Sequence, residues 1–142
     1  MHPKVEEANR DNGGGEAFSP WLALQRATDK KRAELLADIV GHPEGAPSVE
    51  ELDYMNPPLS DDAIRRHLRK LIDVGVVKEL AYEEGDPHRV RDYPRKFYTL
   101  TSEARHLFDK NGLFPEAAWQ RQYQSVQKTP RIEELEAMPR PE

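Results

Sequence analysis

The sequence predicts a mainly α-helical fold with one small β-hairpin. Three observations predict it. Apolar residues recur at helical spacing in several short runs between residues 20 and 126. Gly and Pro punctuate these runs at short intervals. Two strand-like runs, VVKELAY at 76–82 and KFYTL at 96–100, flank a polar stretch holding Gly85, Pro87 and Pro94.

The first helical run is short: Pro20, Trp21, Leu22 and Leu24, reaching Ala27. Asp29 is a good N-cap for the second, whose Leu35, Leu36, Ile39 and Val40 keep helical spacing until Gly41 and Pro43 stop it. Ser48 and Glu51 have the N-cap and N3 spacing of a capping box. The helix they start carries Leu52 and Met55 and closes at Pro57-Pro58. Ser60 caps the next helix, and Asp61 and Asp62 fall in its first turn, where the helix dipole favours acid. Its Ile64, Leu68, Leu71 and Ile72 form one apolar stripe, and Gly75 ends it as a left-handed residue. After the hairpin, Thr101 caps a helix with Ala104, Leu107 and Phe108 that ends at Asn111-Gly112. Pro115 opens a last helix with Ala118, Trp119, Tyr123 and Val126 on one side.

The flanks read differently. Residues 1–17, with three successive glycines from Gly13 to Gly15, are expected to be a disordered arm. Residues 128–142 hold Pro130, Pro139 and Pro141 amid charge. They are expected to be an irregular acidic tail in which Ile132, Leu135 and Met138 could dock. The folded domain is expected to span 18–127, with its core in 29–112.

Composition narrows the function. The 142 residues fit one domain, and 37% hydrophobic content fills one core. No run approaches the ~20 apolar residues of a membrane span, and the first residues lack the apolar core of a signal peptide, so a cytoplasmic protein is expected. The absence of cysteine excludes disulfides, zinc–thiolate sites and thiol catalysis. The net charge is −5, and 13 Arg accompany only 8 Lys. Acidity, Arg over Lys and no Cys together suggest a halophilic, archaeal host.

The order helix, short helix, helix, hairpin makes a winged helix-turn-helix. The run SDDAIRRHLRKLIDVGVVKEL, residues 60–80, resembles the recognition helix and first wing strand of ArsR-like and PadR-like regulators. RKFYTLTSEARHLF, residues 95–108, resembles their second wing strand and following helix. The whole chain looks most like haloarchaeal winged-helix proteins. The resemblance covers about residues 29–112 and implies a transcription regulator that binds double-stranded DNA, not an enzyme.

The residues support this independently. At 100° per residue, Ile64, Leu68, Leu71 and Ile72 face the core. Arg65, Arg66, Arg69 and Lys70 then share the open face. A major groove accepts such a helix, and Arg can bind guanine O6 and N7 or clamp phosphate. Ser60 and Asp62 stand at its leading end, and Arg89, Arg91, Arg95 and Lys96 in or beside the wing tip. These ten residues are the expected DNA-binding set. Acidic residues dilute it: residues 61–96 hold nine Lys or Arg against eight Asp or Glu.

Other chemistries lack a pattern. The five histidines show no metal-ligand spacing, and there is no Gly-x-Ser-x-Gly, phosphate loop or dinucleotide fingerprint. No cofactor or metal is expected, and an effector is left unspecified. Trp21, Leu22, Leu24, Trp119, Tyr123 and Val126 lie outside the winged-helix core. In PadR-like proteins the terminal helices dimerise, so these six are the expected homodimer interface. The alternative is a winged helix used for protein contacts, as in accessory subunits of the transcription machinery or of viruses.

Overall fold

The computed structural model describes residues 17–141. Residues 1–16 of the expected arm lie outside the described residues. Seven helices and two strands follow: α1 Pro20–Ala27, α2 Lys30–Gly41, α3 Val49–Met55, α4 Asp61–Asp73, β1 Val77–Ala81, β2 Lys96–Leu100, α5 Ser102–Lys110, α6 Glu116–Ser125 and α7 Pro130–Ala137. No helix among the described residues is long and apolar enough to cross a membrane.

The local signals set the boundaries. Ser60 Oγ accepts from the Ala63 amide at 3.1 Å, and Thr101 Oγ does the same for Ala104. Ser48 and Glu51 form both halves of a capping box. Gly75, at φ +77°, turns the chain out of α4, and the Val76 amide reaches back to the Leu71 carbonyl at 2.9 Å.

The strands pair antiparallel, Val77 with Leu100 and Ala81 with Lys96. Their two-residue period divides the hairpin between two cores. Val77 and Tyr98 face the main core, built on Leu35, Leu36, Leu52, Ile64, Leu68, Leu71 and Phe108. Leu80 and Phe97 face a second cluster with Ala46, Tyr82, Ile132, Leu135 and Met138.

Two sequence expectations change here. Residues 128–142 were expected to be irregular, but 130–137 are helical. Thr129 Oγ accepts from the Ile132 amide, and Pro130 occupies the first turn, where its missing N–H costs nothing. Ile132, Leu135 and Met138 bury against the hairpin. The helix opened by Pro115 is therefore not the last. Gly41 also does more than stop a helix. It lies inside α2, where a Cβ would fall 2.5 Å from the Trp119 carbonyl oxygen and 3.0 Å from Tyr123 Cβ. The missing side chain lets α6 pack directly on α2.

Candidate nucleic-acid interface

Helix α4 buries Ile64, Leu68 and Leu71 and exposes Arg65, Arg66, Arg69 and Lys70, as its 3.6-residue period requires, but Ile72, expected to face the core, lies at the edge of the stripe and is 36% exposed. Its two flanks then differ. Arg65 and Arg69 line a groove of about 720 Å³ between α4 and the hairpin, together with Arg95 and Lys96. Arg66 and Lys70 lie outside this groove on the exposed face, and so does Asp62. Arg89 and Arg91 stand apart in the exposed wing tip.

The groove carries acid as well as base. Glu50, Asp53, Asp61, Glu79 and Asp92 share its walls. Burial, then the neighbouring Asp61 carboxylate, hold Asp53 above the usual carboxylate range. On the floor, Tyr98 Oη donates to Glu79 Oε2 at 3.2 Å, and burial followed by the Glu79 charge pushes its phenol up to about 12. Lys96 stands 3.9 Å from the same carboxylate. Arg95 donates from Nε to the Tyr82 carbonyl at 3.0 Å, which ties its stem to the hairpin.

Elsewhere most arginines are engaged within the protein. Arg32, Arg105, Arg131 and Arg140 bond carboxylates, backbone carbonyls or a histidine ring. Among the described residues, Arg65, Arg66, Arg69, Lys70, Arg89 and Arg91 form no ion pair and no side-chain hydrogen bond. These six cations on α4 and the wing tip are exposed to solvent.

Two histidines form side-chain hydrogen bonds. Arg32 Nη1 donates to His67 Nδ1 at 3.3 Å; burial and then this guanidinium lower the imidazole pKa. His42 is fully buried. Its Nδ1 accepts from the Glu44 amide at 3.0 Å, so the ring proton sits on Nε2 and is donated to Glu51 Oε2 at 2.6 Å.

The expected interface residues separate. Trp21 is 72% exposed and Leu22 40%. Leu24 packs partly against the main core. Trp119 is half-buried on α2, and Val126 is 37% exposed. Tyr123 is covered by its own chain, edge-on to His42 with ring centroids 5.6 Å apart. A 3.6-residue stripe shows that a face is covered, not what covers it.

Comparison with known proteins agrees with this architecture. No protein-family model and no curated protein matches the chain. A solved structure does: a protein with a GntR superfamily winged-helix-turn-helix domain from Halomicrobium mukohataei. It is 30% identical, with a TM-score of 0.75, over 92% of this chain and 89% of that one. The chain belongs to the winged-helix-turn-helix proteins of the GntR superfamily. The winged-helix expectation therefore holds, while nothing in the match speaks for the narrower ArsR-like or PadR-like type. Membership supports a DNA-binding regulator in general terms.

Proposed function

We propose that this winged-helix protein is a sequence-specific, double-stranded DNA-binding regulator that lays α4 in the major groove and the wing tip on the flanking backbone or minor groove. The observation that carries the reading is the clustering of six exposed cations on α4 and the wing tip that form no ion pair among the described residues. Arg65, Arg66, Arg69 and Lys70 on α4 reach base edges or phosphates, and Arg89 and Arg91 reach the backbone. Ser60 and Asp62 sit at the leading end of α4, close to the groove floor in this pose. Arg95 and Lys96, partly tied to the hairpin, serve as secondary phosphate contacts. The role is binding and not catalysis, and the acidic balance suits a cytoplasm rich in salt.

Two copies bind a palindrome as a homodimer. Leu22 of α1, exposed beside Ile72 of α4, and the exposed Trp21 offer the apolar surface for it.

The test is a selection of duplexes from a random-sequence pool, followed by anisotropy titrations of wild type and the Arg66→Ala, Arg69→Ala and Arg89→Ala variants. Each helix variant is expected to lose about 1–3 kcal/mol on the selected duplex and to relax its sequence preference. Absence of an enriched sequence would reject specific DNA recognition and favour protein contacts as the role of this domain.

A further inference from the structure

The connection between β1 and β2, residues 82–95, is the longest irregular stretch among the described residues. Such a loop has many ways to move unless something holds it. Here α7 holds it. Arg131 Nη2 donates to the Asp92 carbonyl at 3.0 Å, and its guanidinium lies over the Tyr93 ring, 4.5 Å from the centroid. Tyr93 Oη donates to Glu134 Oε1 at 2.6 Å, one turn along α7. The same arginine makes a two-pronged pair with Glu50 of α3, Nε to Oε2 at 2.9 Å and Nη2 to Oε1 at 3.0 Å. One guanidinium thus joins α7, the first helix of the helix-turn-helix and the wing loop.

The held segment is next to the unpaired cations. The Tyr93 amide bonds the Val90 carbonyl at 3.1 Å, closing a turn directly after Arg89 and containing Arg91. Asp92 within that turn sits at φ +71°, a left-handed conformation that costs a side-chain-bearing residue energy and persists where neighbours over-determine it. Its carbonyl is the atom that Arg131 grips.

We propose that Arg131 is a positioning residue for the wing: it fixes the 90–93 turn against α3, so that Arg89 and Arg91 stand at a set distance from α4. Its Nε and Nη2 donors are engaged within the protein, and Arg131 acts through the turn that they hold. This inference rests on the DNA-binding reading for its consequence, but not for its geometry. Without the clamp the wing cations remain present, and their ordering has to be supplied at the moment of binding, which weakens binding.

The experiment has two arms. In the first, hydrogen exchange of free protein compares wild type, Arg131→Ala and Arg131→Lys. Arg131→Ala is expected to speed exchange in residues 88–95 while α4 amides and the melting curve stay near wild type. The lysine variant, with one ammonium for three acceptors, is expected to fall between. Unchanged exchange in 88–95 would overturn the proposal. In the second, a duplex selected by the wild type is titrated with Arg131→Ala, the Arg89→Ala/Arg91→Ala double variant, and their combination. Arg131→Ala should lose roughly tenfold in affinity, the scale of one lost contact. The combination should be no weaker than the wing double variant alone, whereas Arg131→Ala and Arg66→Ala losses should multiply. Multiplying losses with the wing variant would overturn it as well. A wild type that selects no duplex would defeat the DNA-binding reading, and the exchange arm would then decide the positioning alone.

Discussion

Arg140 Nη2 donates to both carboxylate oxygens of Glu51, at 3.0 and 3.2 Å, and so fastens the segment after α7 to the first turn of the helix-turn-helix. Glu51 is fully buried there, and it also accepts hydrogen bonds from His42 Nε2 and from the Ser48 amide and hydroxyl. Arg140 spends its remaining donors on the carbonyls of Ala46, Leu135 and Met138, and lies over Phe97 at 4.4 Å. A buried charge in a network this complete is costly to orphan.

Arg140→Ala is therefore expected to destabilise the fold by about 3–5 kcal/mol, the range for breaking a buried pair. Burial would raise the Glu51 pKa, but the His42 hydrogen bond, the nearby charges and the Ser48 amide outweigh it and hold the carboxyl below its usual value. A lowered carboxylate contributes stability above its unfolded pKa and loses it as pH falls through the folded one. Wild type should therefore lose more stability than Arg140→Ala as the solution is acidified below about pH 4.3. Denaturant melts at several pH values check both expectations; parallel curves with a small offset would contradict them.

This network shows where sequence reading ends. Caps are local, so Ser48, Ser60, Thr101 and Gly75 announce α3, α4, α5 and the turn before the hairpin within a few residues. The α4 stripe likewise places its four cations outward from spacing alone. His42, Glu51 and Arg140 meet across 9 and 89 residues, and nothing in their neighbourhoods marks them as partners. Helix α7 was legible in principle. Thr129-Pro130 before Ile132 repeats the Ser19-Pro20 signal that opens α1, but Pro130 among other prolines looks like a breaker. The match of Arg131 with Glu50 and Asp92 depends on that missed helix, so the wing clamp was out of reach too.

Gly41→Ala tests the α2–α6 contact. The added methyl meets backbone, the Trp119 carbonyl at 2.5 Å, so no rotamer change relieves it. In an ordinary helix interior Ala would stabilise relative to Gly by about 0.5–1 kcal/mol. Here overpacking is expected to reverse the sign, with a net loss of about 1–3 kcal/mol read from chemical denaturation. A stabilised variant would show that α6 is not seated on α2 as described.

Ser60→Ala removes the hydroxyl that accepts from the Ala63 amide at the start of α4. A loss of about 1 kcal/mol is expected, with Ser60→Asp close to wild type because Asp also caps. Equal melting temperatures for the wild type and the alanine variant would show that the cap contributes nothing.

Asp38 sets an opposite pH dependence to Glu51. It lies on α2, where its Oδ2 accepts from Asn56 Nδ2 at 2.7 Å. Burial pushes its carboxyl up to about 7; the Asn56 hydrogen bond lowers it in part, and Glu34 raises it further. A raised acid means that the folded state keeps a proton the unfolded chain has released. Stability should then fall as pH rises from the unfolded value of about 3.9 to the folded value, and level off above it, by at most about 1.4 kcal/mol per pH unit. Asp38→Asn keeps an oxygen that can accept from Asn56 and cannot titrate. The variant should match wild type near pH 4 and gain on it steadily until about pH 7, with a constant margin beyond. The measurement is the difference in unfolding free energy between the two proteins across that range. A difference that does not change with pH would mean that Asp38 ionises in the fold as freely as in the unfolded chain.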